Sequence, residues 1–188
     1  MSNRSAGEEA FAQVFQFKSI VPTEDHDELR DFFYKFRFNY DEAQEYFAIL
    51  EQAHDMDAFA KSELLFRVYA MALQCFALSM RRLTDHLGNR SLQKLIPKII
   101  APELMKKELK RIKDIHNHFS FYLNKSVAHQ DTFSVKEALE SFPETDVIKQ
   151  DMKHLKDLYL KLVRELCMSY VGMNREPHDF RDEFNKLA

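Results

Sequence analysis

A chain of 188 residues, 45% hydrophobic and 30% charged, has the ordinary balance of one globular domain with a sizeable core. Three Gly and five Pro leave few tight turns, which favours long helices over many short strands. The net charge is only −3, so the chain as a whole does not attract polyanions, but the charge is unevenly spread. Residues 8–63 carry fourteen acids against five bases, a balance of −9. Residues 81–113 carry ten bases against three acids, a balance of +7. That segment is either a polyanion contact or a solvated helix face neutralised by the acidic helix of the same or another subunit. The first nine residues lack the apolar core of a signal peptide. No apolar run approaches the roughly 20 residues that span a bilayer. Cys75 and Cys167 stand in apolar surroundings and are expected to be reduced thiols, which makes the cytoplasm the expected location.

Thr23, followed by Glu24, Asp25 and Asp27, predicts a helix start with acids at the positive end of the dipole. The helix runs from about 24 to 54, with a candidate kink near Asn39 and Asp41. Asp57 is the expected cap of a helix over about 58–87. Its apolar stripe is Phe66, Tyr69, Leu73, Phe76, Met80, Leu83 and Leu87, spaced by threes and fours. Its flanks are apolar too, which marks it as the central helix. Gly88 ends it.

Ser91 opens a short helix stopped by Pro97, and Pro102 suits the first turn of a long helix. The stripe of that helix is Met105, Leu109, Ile112, His116, Phe119 and Leu123, and it should end near Ala128. Ser134 is the expected cap of a short helix through Ser141, broken by Pro143. Thr145 opens the last long helix, with Ile148, Met152, Leu155, Tyr159, Leu162, Leu166 and Tyr170 inward and Gly172 at its end. The predicted organisation is an N-terminal segment over 1–23, an all-α four-helix bundle with short accessory helices over 24–172, and a tail over 173–188. In the tail, Phe180, Phe184 and Leu187 have helical spacing and should dock on the bundle or on a partner.

The segment Tyr122–Asp131 closes the helix that begins at Pro102 with a polar cluster: Asn124, Lys125, Ser126, His129 and Asp131. If the helix reaches residue 129, His118, Tyr122, Lys125 and His129 share one face, pointing away from the core. An imidazole beside a cation and hydroxyls can move a proton and stabilise charge on a phosphate, as metal-free RNA cleavage requires. The plainer reading is that Lys125 and His129 are cations meeting the negative end of a helix dipole. His116 is read as a core or interface histidine. Glu24, Asp25, Asp27 and Glu28 are read as helix N-terminal charges rather than a cation site. No cysteines have zinc spacing, and there is no Gly-rich phosphate loop, so neither a metal nor a cofactor is expected.

Leu-Asn-Lys-Ser-Val-Ala-His-Gln-Asp at 123–131 resembles the HEPN signature in its Leu-Arg-Asn-Lys-x-x-Ala-His-x-Asp form, through Asn124, Lys125, Ala128, His129 and Asp131. Arg-Arg-Leu-Thr-Asp at 81–85 and Arg-Ser-Leu-Gln-Lys-Leu-Ile at 90–96 are similar to the abortive-infection AbiU-like branch. The resemblance covers roughly residues 24–172. It implies a helical bundle that forms a homodimer with two signatures facing each other, and metal-independent endoribonuclease activity of the kind found in toxins and phage defence. It makes His129 the catalytic histidine, with Asn124 and Lys125 on the phosphate. RNA contacts are then expected at Arg81, Arg82, Lys106, Lys107, Lys110 and Arg111, and at His118, Tyr122, Ser126 and Asp131. An antitoxin or regulatory protein is a further implied partner, and a membrane is not. Leu123 stands where the signature has Arg, and Arg and Lys are not equivalent at a phosphate. The alternative expectation is therefore a catalytically degenerate relative that binds RNA or a protein.

Overall fold

The computed structural model describes residues 15–54, 62–128, 142–170, 177–181, 184 and 186, without the side chains of 54 and 125–128. The chain is all-α, and its one sheet among the described residues is a two-stranded ladder. In chain order the elements are β1 (Gln16–Phe17), a 3-10 turn (Thr23–Asp25), α1 (His26–His54), α2 (Glu63–His86), α3 (Arg90–Ile99), α4 (Pro102–Ala128), α5 (Thr145–Leu166) and β2 (Cys167–Ser169).

α1 forms because apolar residues recur by threes and fours. Leu29, Phe33, Phe36, Tyr40, Ala43, Phe47 and Leu50 are all buried on one side. Asp27 and Glu28 occupy its first turn. The helix continues through Asn39, where a kink was a candidate. Asn39 Nδ2 donates to Lys35 O at 2.7 Å, one turn back, so its amide bonds to the helix backbone while the helix continues.

α2 is capped by Ser62, whose Oγ accepts from Leu65 N at 3.4 Å. The expected cap, Asp57, lies outside the described residues. The inward face is shifted by one residue at its start: Leu65 is fully buried while Phe66 is 45% exposed. From Leu73 onward the expected stripe holds. Gly88 follows in a turn, its N–H donating to Asp85 O, without a left-handed conformation. By length and composition α2 is apolar enough to cross a membrane, which corrects the sequence expectation. Phe76, Met80 and Leu83 on its inward side are fully buried in the protein core.

α3 departs from expectation at both ends. Its cap is Asn89, which accepts from Leu92 N at 3.0 Å, and the helix runs through Pro97 to Ile99. A proline removes one backbone donor, and the next turn still closes through Ile100 N to Ile96 O at 2.9 Å. α4 begins at Pro102 and ends at Ala128 as the sequence indicated. Its buried face differs: Ile115, Phe119, Tyr122 and Leu123 face inward, and Leu109 is exposed. The expected helix after Ser134 lies outside the described residues.

α5 buries Ile148, Met152, Leu155, Tyr159, Leu162 and Leu166. It stops at Leu166 rather than continuing toward Gly172, because Cys167 turns extended and β2 pairs antiparallel with β1. Lys18 N donates to Leu166 O at 2.8 Å, and the Lys18 ammonium caps Arg164 O, a cation at the negative helix end. Residues 15–21 thus belong to the core they were expected to precede, through Phe15, Phe17 and Val21. Cys75 and Cys167 are free thiols, and burial pushes the Cys167 thiol up to about 12.

Aromatic contacts join the long helices. Phe76 of α2 meets Phe47 of α1 at 5.6 Å and Phe119 of α4 at 5.5 Å between ring centroids. Tyr159 of α5 stacks on Phe36 of α1 at 5.4 Å and meets the edge of Phe33 at 5.8 Å. Of the tail, Phe184 is buried against Ala53 and Leu65, and Phe180 stacks on it.

Candidate functional site

The end of α4 and the seam between α4 and α5 hold most of the side chains on which a function could rest. α4 presents its cations outward because Ile115, Phe119 and Leu123 fix the opposite side in the core. Lys106, Lys110 and Lys113, at intervals of four and three, are exposed, as is Lys107 beside them. Arg81 and Arg82 lie on the last turns of α2, Arg82 exposed and Arg81 at 3.8 Å from Asp85. The segment 81–113 is therefore a solvated cationic face for much of its length.

Arg111 is an exception. Its Nη2 donates to Asp151 Oδ1 of α5 at 2.7 Å, and Asp151 is only 1% exposed. Replacing Arg111 with an acid would press two carboxylates together at a buried position, which is costly. Arg111 is therefore unsuited to a charge-reversal test of RNA binding. His118 Nδ1 lies 3.5 Å from the other oxygen of Asp151, within ion-pair reach and short of a well-formed hydrogen bond. One turn toward the start of α4, His154 Nε2 stands 2.9 Å from Glu108 Oε2, close but poorly angled for a hydrogen bond.

Asp151 was not among the residues singled out from the sequence. The signal was there: it sits among the inward residues of α5, three after Ile148 and four before Leu155. An acid on an apolar stripe must find a cation or pay the full cost of desolvation.

Most of the expected cluster lies outside the described residues, and one of its neighbours is placed otherwise than expected. Tyr122, expected on a polar face with His118, is 3% exposed and meets the Phe142 ring at 5.0 Å. Tyr122 was misplaced because α4 turns it inward beside Leu123, while His118 is exposed as expected. Leu123, in the position of the signature Arg, is itself buried. Asn124 is exposed. The side chains of Lys125 and Ser126, and the residues His129 and Asp131, lie outside the described residues.

His116 is engaged on both nitrogens, with Thr84 Oγ1 at 3.0 Å from Nδ1 and Ser120 Oγ at 3.0 Å from Nε2. It ties α2 to α4, in keeping with a core histidine. Asp25 and Glu28 both place a carboxylate oxygen within hydrogen-bond reach of the buried Ser91 hydroxyl, whose one hydrogen can be donated to either, so they join α1 to α3 in addition to their place at a helix start. Among the described residues no three His, Cys, Asp or Glu side chains converge in a way that could hold a metal ion.

Chemically, the α4 surface can neutralise phosphates, and the seam can present a guanidinium anchored on a buried carboxylate, with an imidazole beside it. No family model matches the chain, and neither a curated protein nor a solved structure matches it.

Proposed function

We propose that this protein is a HEPN-like RNA-binding protein of the cytoplasm, and that it cleaves RNA without metal, as a toxin in abortive infection or phage defence. One observation carries the RNA reading: the exposed strip of Lys106, Lys107, Lys110 and Lys113 lies on the same helix whose last turns carry Asn124 and Lys125, the start of the signature-like segment. Cations held along one face displace counterions from a phosphate backbone, so affinity falls steeply as salt rises. A Lys106→Glu, Lys107→Glu, Lys110→Glu variant should lose salt-dependent binding to labelled single-stranded RNA while unfolding like wild type, since all three side chains are in solvent. Undiminished binding by this variant, or none by wild type at low salt, overturns the reading.

A second reading, a non-cleaving relative that binds RNA or a protein partner such as an antitoxin, is favoured by Leu123. The position that would carry the signature Arg is turned into the core.

The active form in this proposal is a homodimer with the α4 helices near the two-fold axis, which brings two copies of the helix end together. Leu109 is 47% exposed on α4, apolar surface that an isologous contact would cover. Light scattering should give twice the chain mass, and a monomer at every concentration would remove the dimer from the proposal.

A further inference from the structure

We propose that the groove between α1 and the docked tail binds an arginine-bearing peptide segment of a protein partner. Phe38, Tyr46 and Phe180 receive the guanidinium and its apolar stem, and Asp41, Glu42 and Glu45 supply the opposite charge. The inference goes beyond the RNA reading and does not depend on it.

The groove has a volume of about 410 Å³, and those six side chains line it with Ile49 and His178. It begins with the outward side of α1, which is not uniformly polar. Tyr34, Phe38, Asp41, Glu45 and Ile49 recur at intervals of four, three, four and four. They form one stripe on the side opposite the buried Phe36, Ala43 and Phe47. The tail builds the far wall. Gln52 Oε1 accepts from Phe180 N at 2.7 Å, and Glu45 Oε2 accepts from His178 N at 3.0 Å. The His178 and Phe180 rings meet at 4.6 Å between centroids.

Two independent features point to a planar cation. Aromatic surface is open at the groove: Phe38 is 51% exposed and stacks on Tyr34, itself 43% exposed, at 6.4 Å between centroids. Adjoining rings in solvent are apolar area that a ligand covers with a gain in free energy. Three carboxylates border those rings, and among the described lining residues none is Lys or Arg. Glu42 Oε2 accepts from Ser79 Oγ at 3.4 Å, and Arg37 Nε stands 3.7 Å from Asp41 Oδ2. Such contacts position a carboxylate, and its roughly four acceptor positions let it hold a neighbour and a ligand together. Ring faces attract cations, and guanidinium, planar and weakly hydrated, stacks on them better than ammonium does. The same carboxylates repel phosphate, which sets this face apart from the cationic side of α4. From Tyr34 to Ile49 the stripe is about 22 Å long at about 1.5 Å per residue, the span of a peptide rather than of one small cation.

The test titrates the full chain into fluorescein-labelled hexa-arginine and hexa-lysine peptides, read by fluorescence anisotropy. Hexa-arginine should bind, and more weakly as salt rises. It should bind about twofold to fivefold more tightly than hexa-lysine, the size of one exposed cation–π contact. Phe38→Ala should remove that preference, and Phe66→Ala, an exposed ring on α2 that does not line the groove, should keep it. A triple variant, Asp41→Asn, Glu42→Gln and Glu45→Gln, should lower affinity for both peptides by about tenfold or more. If the triple variant does not fold, Phe38→Ala, altering a half-exposed side chain, decides the matter. Equal affinity of wild type for the two peptides, or an arginine preference kept in Phe38→Ala, overturns the proposal, because charge alone then accounts for binding. So does absence of hexa-arginine binding by wild type at low salt. Single-stranded RNA affinity that falls in Phe38→Ala overturns it too, by assigning the Tyr34–Phe38 pair to base stacking.

Discussion

Phe76→Ala should destabilise the protein by about 3–5 kcal/mol, the cost of removing a fully packed aromatic ring and leaving a cavity. Phe76 is fully buried and touches the rings of Phe47, Phe119 and Phe142, so it joins α1, α2, α4 and the segment leading into α5. Truncation removes contacts with several elements at once, and none can close the gap without moving away from another. Phe66→Ala, ten residues earlier in the same helix, should change stability by less than about 0.5 kcal/mol, because that ring is largely in solvent. Urea unfolding monitored by far-UV circular dichroism measures both. Equal effects of the two substitutions would show that the inward face of α2 has been misassigned.

His129→Ala should lower RNA cleavage by about 10²–10⁴-fold, the usual contribution of a positioned proton donor or acceptor. The expectation follows from the proposed role of His129 as general acid or base, with Asn124 and Lys125 on the phosphate. The assay is single-turnover cleavage of labelled total RNA in the presence of a chelator. Full activity in His129→Ala rejects the mechanism, as does activity lost in chelator and regained with magnesium. Absence of cleavage by wild type across varied RNAs leaves the non-cleaving reading in its place.

How far the sequence leads depends on how distinct each helix face is. On α5 the apolar residues keep to one side, and the inward face from Ile148 to Leu166 was read correctly. On α4 two overlapping inward faces compete, one through Met105, Leu109 and Ile112 and the other through Ile115 and Tyr122, with Phe119 and Leu123 common to both. The sequence alone favoured the stripe through Leu109, which left out Ile115 and turned Tyr122 outward. Packing against Phe76 and Phe142 selects the other.

The ends of elements were hidden for another reason: their causes are remote. α5 ends where Cys167–Ser169 finds a strand partner in Gln16–Phe17, and strands of two and three residues leave no alternation to detect. Asp151 acquires its meaning from Arg111, forty residues earlier in the chain. At the candidate site the order of residues from Asn124 to Asp131 was visible. The identity of the exposed and buried neighbours was not.

The ladder between β1 and β2, with Lys18 capping α5 from 146 residues away, bears on how the protein is made. On a ribosome, the partner of Gln16–Phe17 emerges only after about 150 further residues have been made. Phe33 and Phe36 likewise wait for Tyr159. For roughly 6–25 s at elongation rates of about 5–20 residues per second, the aromatic face of α1 lacks its α5 partner. Contacts so distant in sequence close late and slowly, because the loop entropy is lost before they form. Completion of the core therefore waits for α5, and until α5 has been made the aromatic face of α1 remains exposed apolar surface.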